Sequence, residues 1–426
     1  MPRLCCAAVL SVGLLLLGCG FSASGTPPAT PAQAQKIKHI VIIMQENRSF
    51  DNLFNGFPGA DTVQSGMSHG EVVPLKSVPF EQGTDLDHSH TAWWKDWDNG
   101  KMDGFAHEAP YPISNLPYAY VPQTETVPYW TLARQYTLGD RMFQSNSGPS
   151  FPAHQYMIAG QSASADENPS GTPWGCDAPA TETVALIGPN GTDLPGVYPC
   201  FDYATMADLL DTRGISWNYY APAETSSPTG FVWSAYQAIR HIRFGPDWTD
   251  KVVSPNAQVL ADIKNGKLAQ VTWIIPQYAY SDHAEQGLTK EGPSWVADIT
   301  NEIGASPFWS STVIFIAWDD WGGWYDHVPP PQLDNMGLGF RVPLIVVSPY
   351  AKKGYISGQV HEFSGFLRYT EEVFNLPNLG KRDVAADDFA DCFDYSQAVT
   401  AYTPIPVDFS PEYFEHEKPS GPPDND

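Results

Sequence analysis

Four short apolar runs limit what this chain can fold into. KHIVIIM (38–44), VTWII (271–275), TVIFIAW (312–318) and VPLIVV (342–347) have the length and β-branching of strands buried on both faces. Helical patterns lie between and after them. YATMADLLDTRG places Met206, Leu209 and Leu210 on one face and stops at Gly214. WVADITNEIG separates the second and third runs, and EFSGFLRYTEEVFNL follows the fourth. This alternation predicts an α/β fold, a three-layer α/β/α sandwich around a largely parallel sheet. Ligands of such sheets sit just beyond the C-terminal ends of the strands. Those ends are therefore where a site is expected.

The strand ends are polar. KHIVIIM runs through Gln45 into Glu46, Asn47 and Arg48, TVIFIAW ends at Asp319-Asp320, and VTWII is followed by Asp282-His283. Two adjacent carboxylates repel each other unless a cation stands beside them. Oxygen ligands of this kind suit a hard divalent ion. The alternative is a turn or helix cap with solvated acids. Glu46-Asn47 has the same alternative, with Asn47 as the cap of a following helix. After Asp319-Asp320, Gly322 and Gly323 permit a tight backbone return that would bring Asp326 and His327 towards the same edge.

SNSGPSFPAH (145–154) sets Ser150 between Pro149 and Pro152, with His154 four residues on. The prolines fix the backbone, and a helix starting there offers free N–H groups to an anion. An ordinary N-cap serine is the competing reading. In Asp87-His88-Ser89-His90 the i, i+2 spacing puts both rings on one side of an extended segment, where they would bind metal or phosphate.

The net charge of −25 argues against nucleic acid as a partner. A small anionic substrate would be repelled as well, unless a bound cation or an arginine waits for it. The N-terminus, MPRLCCAAVLSVGLLLLGC, has Arg3, an apolar stretch and a small residue before Cys19. It reads as a signal peptide over 1–18, with Leu16-Leu17-Gly18-Cys19 similar to a lipobox and Cys19 the lipidated residue. The expected protein is exported and either secreted or held at the cell envelope, periplasmic or surface-exposed, by that lipid. Residues 19–36 are small, polar and Pro-rich, a tether. The catalytic domain is expected over 37–405, and 406–426 reads as a mobile acidic tail. Cys176 and Cys200 bracket a Pro/Gly/Thr-rich loop and are expected to pair in an oxidising compartment, leaving Cys392 free.

Longer stretches carry a family resemblance. HIVIIMQENRSFDNLFNGFPGAD, DLDHSHTAWWKDWDNGKMDGF, VPYWTLARQYTLGDRMFQSNSGPSFPAHQYMIAG, GPSWVADITNEIGASPFWSSTVIFIAWDDWGGWYDHVPPP and GFRVPLIVVSPYAKKGYISGQVHEFSGFLRYTEEVFNLPNL occur in order, from about residue 37 to about residue 395. They resemble the bacterial phosphoesterase family that includes non-haemolytic phospholipases C, plant non-specific phospholipases C and a group of acid phosphatases. The resemblance implies an alkaline-phosphatase-like fold and a Ser or Thr nucleophile beside one divalent metal, which calcium, magnesium, manganese, iron or zinc would satisfy. It implies Glu46, Asn47, Ser150, Asp319 and Asp320 as metal ligands, Ser150 also as nucleophile, and His88 and His283 as phosphate-binding or proton-donating groups. His154, His90 and His327 are the remaining candidates for substrate contact, and His361 lies in a family segment without a role. The chain departs from the phospholipase branch at Ala153-His154, where that branch has Asn-Arg, and at Asp319-Asp320, where it often has Asp-Glu. It departs from the phosphatase branch at Tyr219-Tyr220, where paired histidines stand. The expected substrate is a phosphate ester. Phospholipase C-like cleavage of a phospholipid comes first, an acid phosphatase acting on monoesters second, and a non-catalytic surface binding protein on the same scaffold third.

Overall fold

A computed structural model describes Met1 and residues 36–107, 115–169, 175–222, 233–284 and 290–416. The signal peptide, Cys19 and nearly all of the tether fall outside the described residues.

Among the described residues, eight strands form the central sheet. In chain order they are β1 (His39–Gln45), β2 (Thr137–Gly139), β3 (Trp217–Tyr220), β4 (Val252–Val253), β5 (Val271–Ile274), β6 (Thr312–Trp318), β7 (Leu344–Val347) and β8 (Tyr355–Ser357). Their spatial order is β4-β3-β5-β1-β6-β7-β2-β8. Only β7 runs against its neighbours β6 and β2; the other pairs are parallel. The sheet is therefore mixed, and largely parallel as expected. All four apolar runs become strands, and they sit side by side in its centre as β5, β1, β6 and β7.

The helices used below are α1 (Phe50–Phe54), α2 (His90–Trp97), α3 (Val127–Gln135), α4 (Ser150–Ala159), α5 (Met206–Arg213), α6 (Gln258–Lys264), α7 (Gly292–Ala305), α8 (Ser364–Phe374) and α9 (Pro411–His416). Residues on β6 show how they cover the sheet. Phe315 packs against Phe366 and Tyr369 of α8, whereas Trp318 packs against Tyr129 of α3. Three positions apart on one strand, these side chains point to opposite faces. Helices α3, α6 and α7 group on one face, and α4, α5 and α8 on the other.

Cys176 and Cys200 are bonded, and Cys392 is free and buried. The C-terminal boundary needs correction. Residues 406–416 are not a loose tail: α9 buries Phe414 against Tyr280 and Trp295, and Tyr413 donates to Glu291. Two aromatic rings inside an acidic stretch suffice to dock it. Among the described residues no helix is long and apolar enough to cross a membrane.

Candidate active site

Strands β1 and β6 run flush, so that Gln45 pairs with Trp318 and the next residues of both leave the sheet together. The amide of Asp319 donates to the Gln45 carbonyl, and the amide of Asn47 donates to Asp319 Oδ1 at 2.9 Å. From the other side of β1, the segment after β5 arrives where Glu46 N–H donates to the Ser281 carbonyl at 2.8 Å. Three distant segments thus meet at one sheet edge.

Gly322, at φ +59°, lets the chain turn back: a Cβ there would lie 2.3 Å from the Asn47 carbonyl oxygen. Asn47 is itself left-handed, at φ 57°. It does not cap the following helix, because Ser49 does, accepting from Asn52 N–H at 3.2 Å. The amide of Asn47 is thereby available for another task.

Glu46, Asn47, Ser150, His154, Asp319 and Asp320 are all buried. His154 Nε2 lies 3.2 Å from Glu46 Oε1 and 3.6 Å from Asp319 Oδ2, and these three residues can offer atoms to one ion. Ser150 is the first residue of α4, and its hydroxyl donates to Asp320 Oδ2 at 3.3 Å. Asp320 Oδ1 accepts from Gly322 N–H at 2.7 Å. Burial works to raise the Asp319 carboxyl, but His154, 3.6 Å from Oδ2, helped by Glu46 and Ser150, holds it down at about 2. It is therefore ionised at neutral pH.

His88 donates from Nδ1 to the Leu86 carbonyl at 2.7 Å, so its Nε2 accepts from Asn47 Nδ2 at 2.8 Å. That bond uses the Asn47 amide nitrogen and leaves Oδ1 buried with no hydrogen-bond partner among the described residues. Asp319 Oδ2 likewise lacks a hydrogen bond. Buried oxygens in this state are costly. An oxygen-binding divalent cation would satisfy both, so the donor set fits one. His283 is buried with its ring 5.8 Å from that of His88.

The structure brings together Glu46, Asn47, Asp319, Asp320, Ser150 and His154, with His88 joined through Asn47 and His283 beside it. It does not bring His90 and His327 to the same group. Ser89 caps α2 and His90 begins it, so the segment is not extended and the two rings take different partners. His90 Nδ1 contacts the Ser147 carbonyl, and its Nε2 accepts from Trp94 Nε1 at 2.9 Å. His327 instead lies between Asp51 (2.6 Å) and Asp61 (3.1 Å). Asp326 pairs with the buried guanidinium of Arg341 at 3.0 Å.

Sequence reasoning missed the frame behind His283. Arg48 Nε donates to the Asp282 carbonyl at 2.7 Å, and its other nitrogens donate to Asn52 and the Phe80 carbonyl. The Asp282 carboxylate accepts from Tyr129 (2.7 Å) and Trp318 (2.9 Å). Burial pushes that carboxyl up to about 6, although Tyr129, Arg48 and Trp318 oppose the rise. Gly292 leaves the room required, since a Cβ there would lie 1.9 Å from Asp282 Oδ1. Asp282, at φ 78°, is held in this turn directly before His283. Tyr129 and Gly292 carry no local pattern that would have singled them out.

The Phosphoesterase family model matches residues 37–377. The chain is 25% identical to the hemolytic phospholipase C of Pseudomonas aeruginosa over 87% of this chain and 58% of that protein. It is 26% identical to phospholipase C B of Mycobacterium tuberculosis, over 86% and 79%. The chain thus spans a little under six-tenths of the Pseudomonas relative. Among solved structures, a protein in the alkaline phosphatase superfamily from Vibrio parahaemolyticus aligns over 82% of this chain and 70% of that chain, with 10% identity and a TM-score of 0.39.

Proposed function

The chain belongs to the Phosphoesterase family, and from that premise we propose that it is an exported, metal-dependent phosphoric ester hydrolase of phospholipase C type with Ser150 as its nucleophile. One observation carries the reading: Ser150 hydrogen-bonds within a buried set of acids at a strand-end edge, where Asn47 Oδ1 and Asp319 Oδ2 have no hydrogen bond among the described residues. The substrate class rests on the phospholipase relatives. Export and lipid attachment at Cys19 rest on the N-terminal pattern alone.

Glu46, Asn47, Asp319 and Asp320, with Ser150, would hold the cation, and His154 stands close enough to Glu46 and Asp319 to join them. When bound, such an ion lowers the pKa of a serine hydroxyl and neutralises phosphate charge. Ser150 Oγ passes its proton to Asp320 Oδ2, the oxygen its hydroxyl already contacts, and attacks phosphorus, and the bond to the leaving alcohol breaks. The N-terminal end of α4 adds a favourable dipole to the anion forming at its first residue. His283 delivers a proton to the departing alkoxide. A water molecule then attacks the phosphoserine, giving its proton to the same imidazole, and Ser150 takes its proton back from Asp320 as it leaves.

The test uses p-nitrophenyl phosphorylcholine and p-nitrophenyl phosphate, each with and without EDTA. Turnover of the diester that EDTA removes is the expected outcome. Turnover of the monoester alone would replace the phospholipase reading by a phosphatase. No turnover of either with a panel of divalent metals would refute the enzyme.

A further inference from the structure

A second cluster of ligating side chains uses none of the residues above. It joins three pieces of chain: the end of β8 at Ser357, the short bridge at His361, and the turn at Asp391-Cys392. His361 and Cys392 are fully buried. His361 Nε2, Asp391 Oδ1 and Cys392 Sγ lie within reach of one ion. Nε2 is 3.8 Å from Oδ1 and 4.0 Å from Sγ, and Sγ is 3.6 Å from Oδ1.

These separations can be set against a known geometry. Zinc bonds to N, O and S ligands imply tetrahedron edges of roughly 3.4–3.6 Å. The Sγ–Oδ1 distance already meets that range, and the two distances from Nε2 exceed it by less than about half an ångström. The supporting contacts also suit a metal. His361 Nδ1 is bonded to Asp387 Oδ2 at 2.7 Å, the carboxylate–histidine arrangement that fixes a ligating ring. Asp391 Oδ2 accepts from Ser357 (2.5 Å) and Tyr355 (3.2 Å), which leaves Oδ1 as the ligating oxygen. Among the described residues, neither Asp387 nor Asp391 makes a direct ion pair with a lysine or arginine.

Ser357 Oγ also lies 2.8 Å from His361 Nε2, so Ser357, His361 and Asp387 line up like a hydrolytic triad. The serine is buried, however, and its hydroxyl donates to Asp391. It is poorly placed as a nucleophile, and an ion bound to Nε2 would displace its hydroxyl from the ring.

We propose that His361, Asp391 and Cys392 form a second, structural metal site, selective for zinc or a similar borderline ion. Thiolate and imidazole favour such ions, whereas the oxygen-rich edge site favours hard ones. On binding, the Cys392 thiol proton is released to solvent and the sulfur takes its place on the metal. The bound ion would pin the 387–395 segment to β8, an outer strand of the sheet.

The experiment is a Co2+ titration of the metal-free full chain, followed through the thiolate-to-cobalt charge-transfer absorption. The wild-type protein is expected to develop that band and Cys392→Ser to lose it, while Asp319→Asn retains it. Zn2+ should bleach the band and protect Cys392 from alkylation. His361→Gln, which keeps the thiol, should weaken both effects and serves if Cys392→Ser fails to fold. A wild-type protein with no band, or a band that survives in both variants, overturns the proposal.

Discussion

Two buried acid clusters lie close together in the chain and are neutralised differently. In the first, Asp51 and Asp326 face Arg341, whose guanidinium is 3.5 Å from Asp51 and 3.0 Å from Asp326 and also reaches Asp140. In the second, Glu46 and Asp319 face His154, with Asp320 bonded to Ser150 and the Gly322 amide. Where the chain supplies its own strong cation, the acids brace the fold. Where it supplies an imidazole in place of a guanidinium, the acids suit the cation that the proposed function requires. Charge count alone would not separate the two clusters; the partner does.

The contrast can be broken most severely at the nucleophile. Ser150→Ala should abolish turnover with little change in melting temperature; retained turnover near the wild-type rate would refute the nucleophile. Next, Arg341→Met should destabilise the protein by about 3–5 kcal/mol, because two buried carboxylates lose their counter-charge. Asp319→Asn should destabilise the metal-free protein less than Arg341→Met does, because it removes one carboxylate held by an imidazole, while abolishing divalent-ion binding at the edge. Urea unfolding of both variants, with and without metal, checks the pair. If both substitutions destabilise the metal-free protein alike, the two clusters are of one kind.

A smaller effect sharpens the comparison from outside both clusters. Burial, then the nearby Glu302 and Glu412 charges, pushes the Asp298 carboxyl up to about 8. The folded state therefore holds this proton where the unfolded chain has lost it. The associated stability is full below pH about 4 and is lost as the pH rises through about 8. Asp298→Asn should flatten that decline, by about 1–2 kcal/mol once solvent screening is allowed for. Smallest of all, Ser49→Ala removes the cap of α1 and should cost about 1 kcal/mol. Asn47→Ala should spare the cap and weaken metal binding instead, which thermal melts with and without metal would separate.

Much of the edge site was legible because it obeys a simple rule. Long β-branched runs reveal central strands, and the residues just after them are the ones a parallel sheet presents to ligands. Glu46, Asn47, Asp319 and Asp320 follow from that, and Ser150 from the proline-fixed start of α4. The outer strands were not legible: Thr137–Gly139, Trp217–Tyr220 and Tyr355–Ser357 are too short or too polar to stand out, and pairing with neighbours makes them strands. The Asp282 frame was hidden for a different reason. Tyr129, Trp318 and Gly292 meet it only after helices and sheet have packed, so no local pattern records their convergence. His90 misled because a serine between two histidines reads equally as part of an extended segment or as a helix cap, and here it caps.

The account stands or falls on where the phosphoryl group goes. Wild-type protein would be mixed with excess p-nitrophenyl phosphorylcholine and a divalent metal, quenched in acid within one turnover, and digested for tandem mass spectrometry. A phosphorylcholine adduct on Ser150 is expected, absent when EDTA is added first. An adduct on any other residue, or turnover that proceeds unchanged in Ser150→Ala, would contradict it.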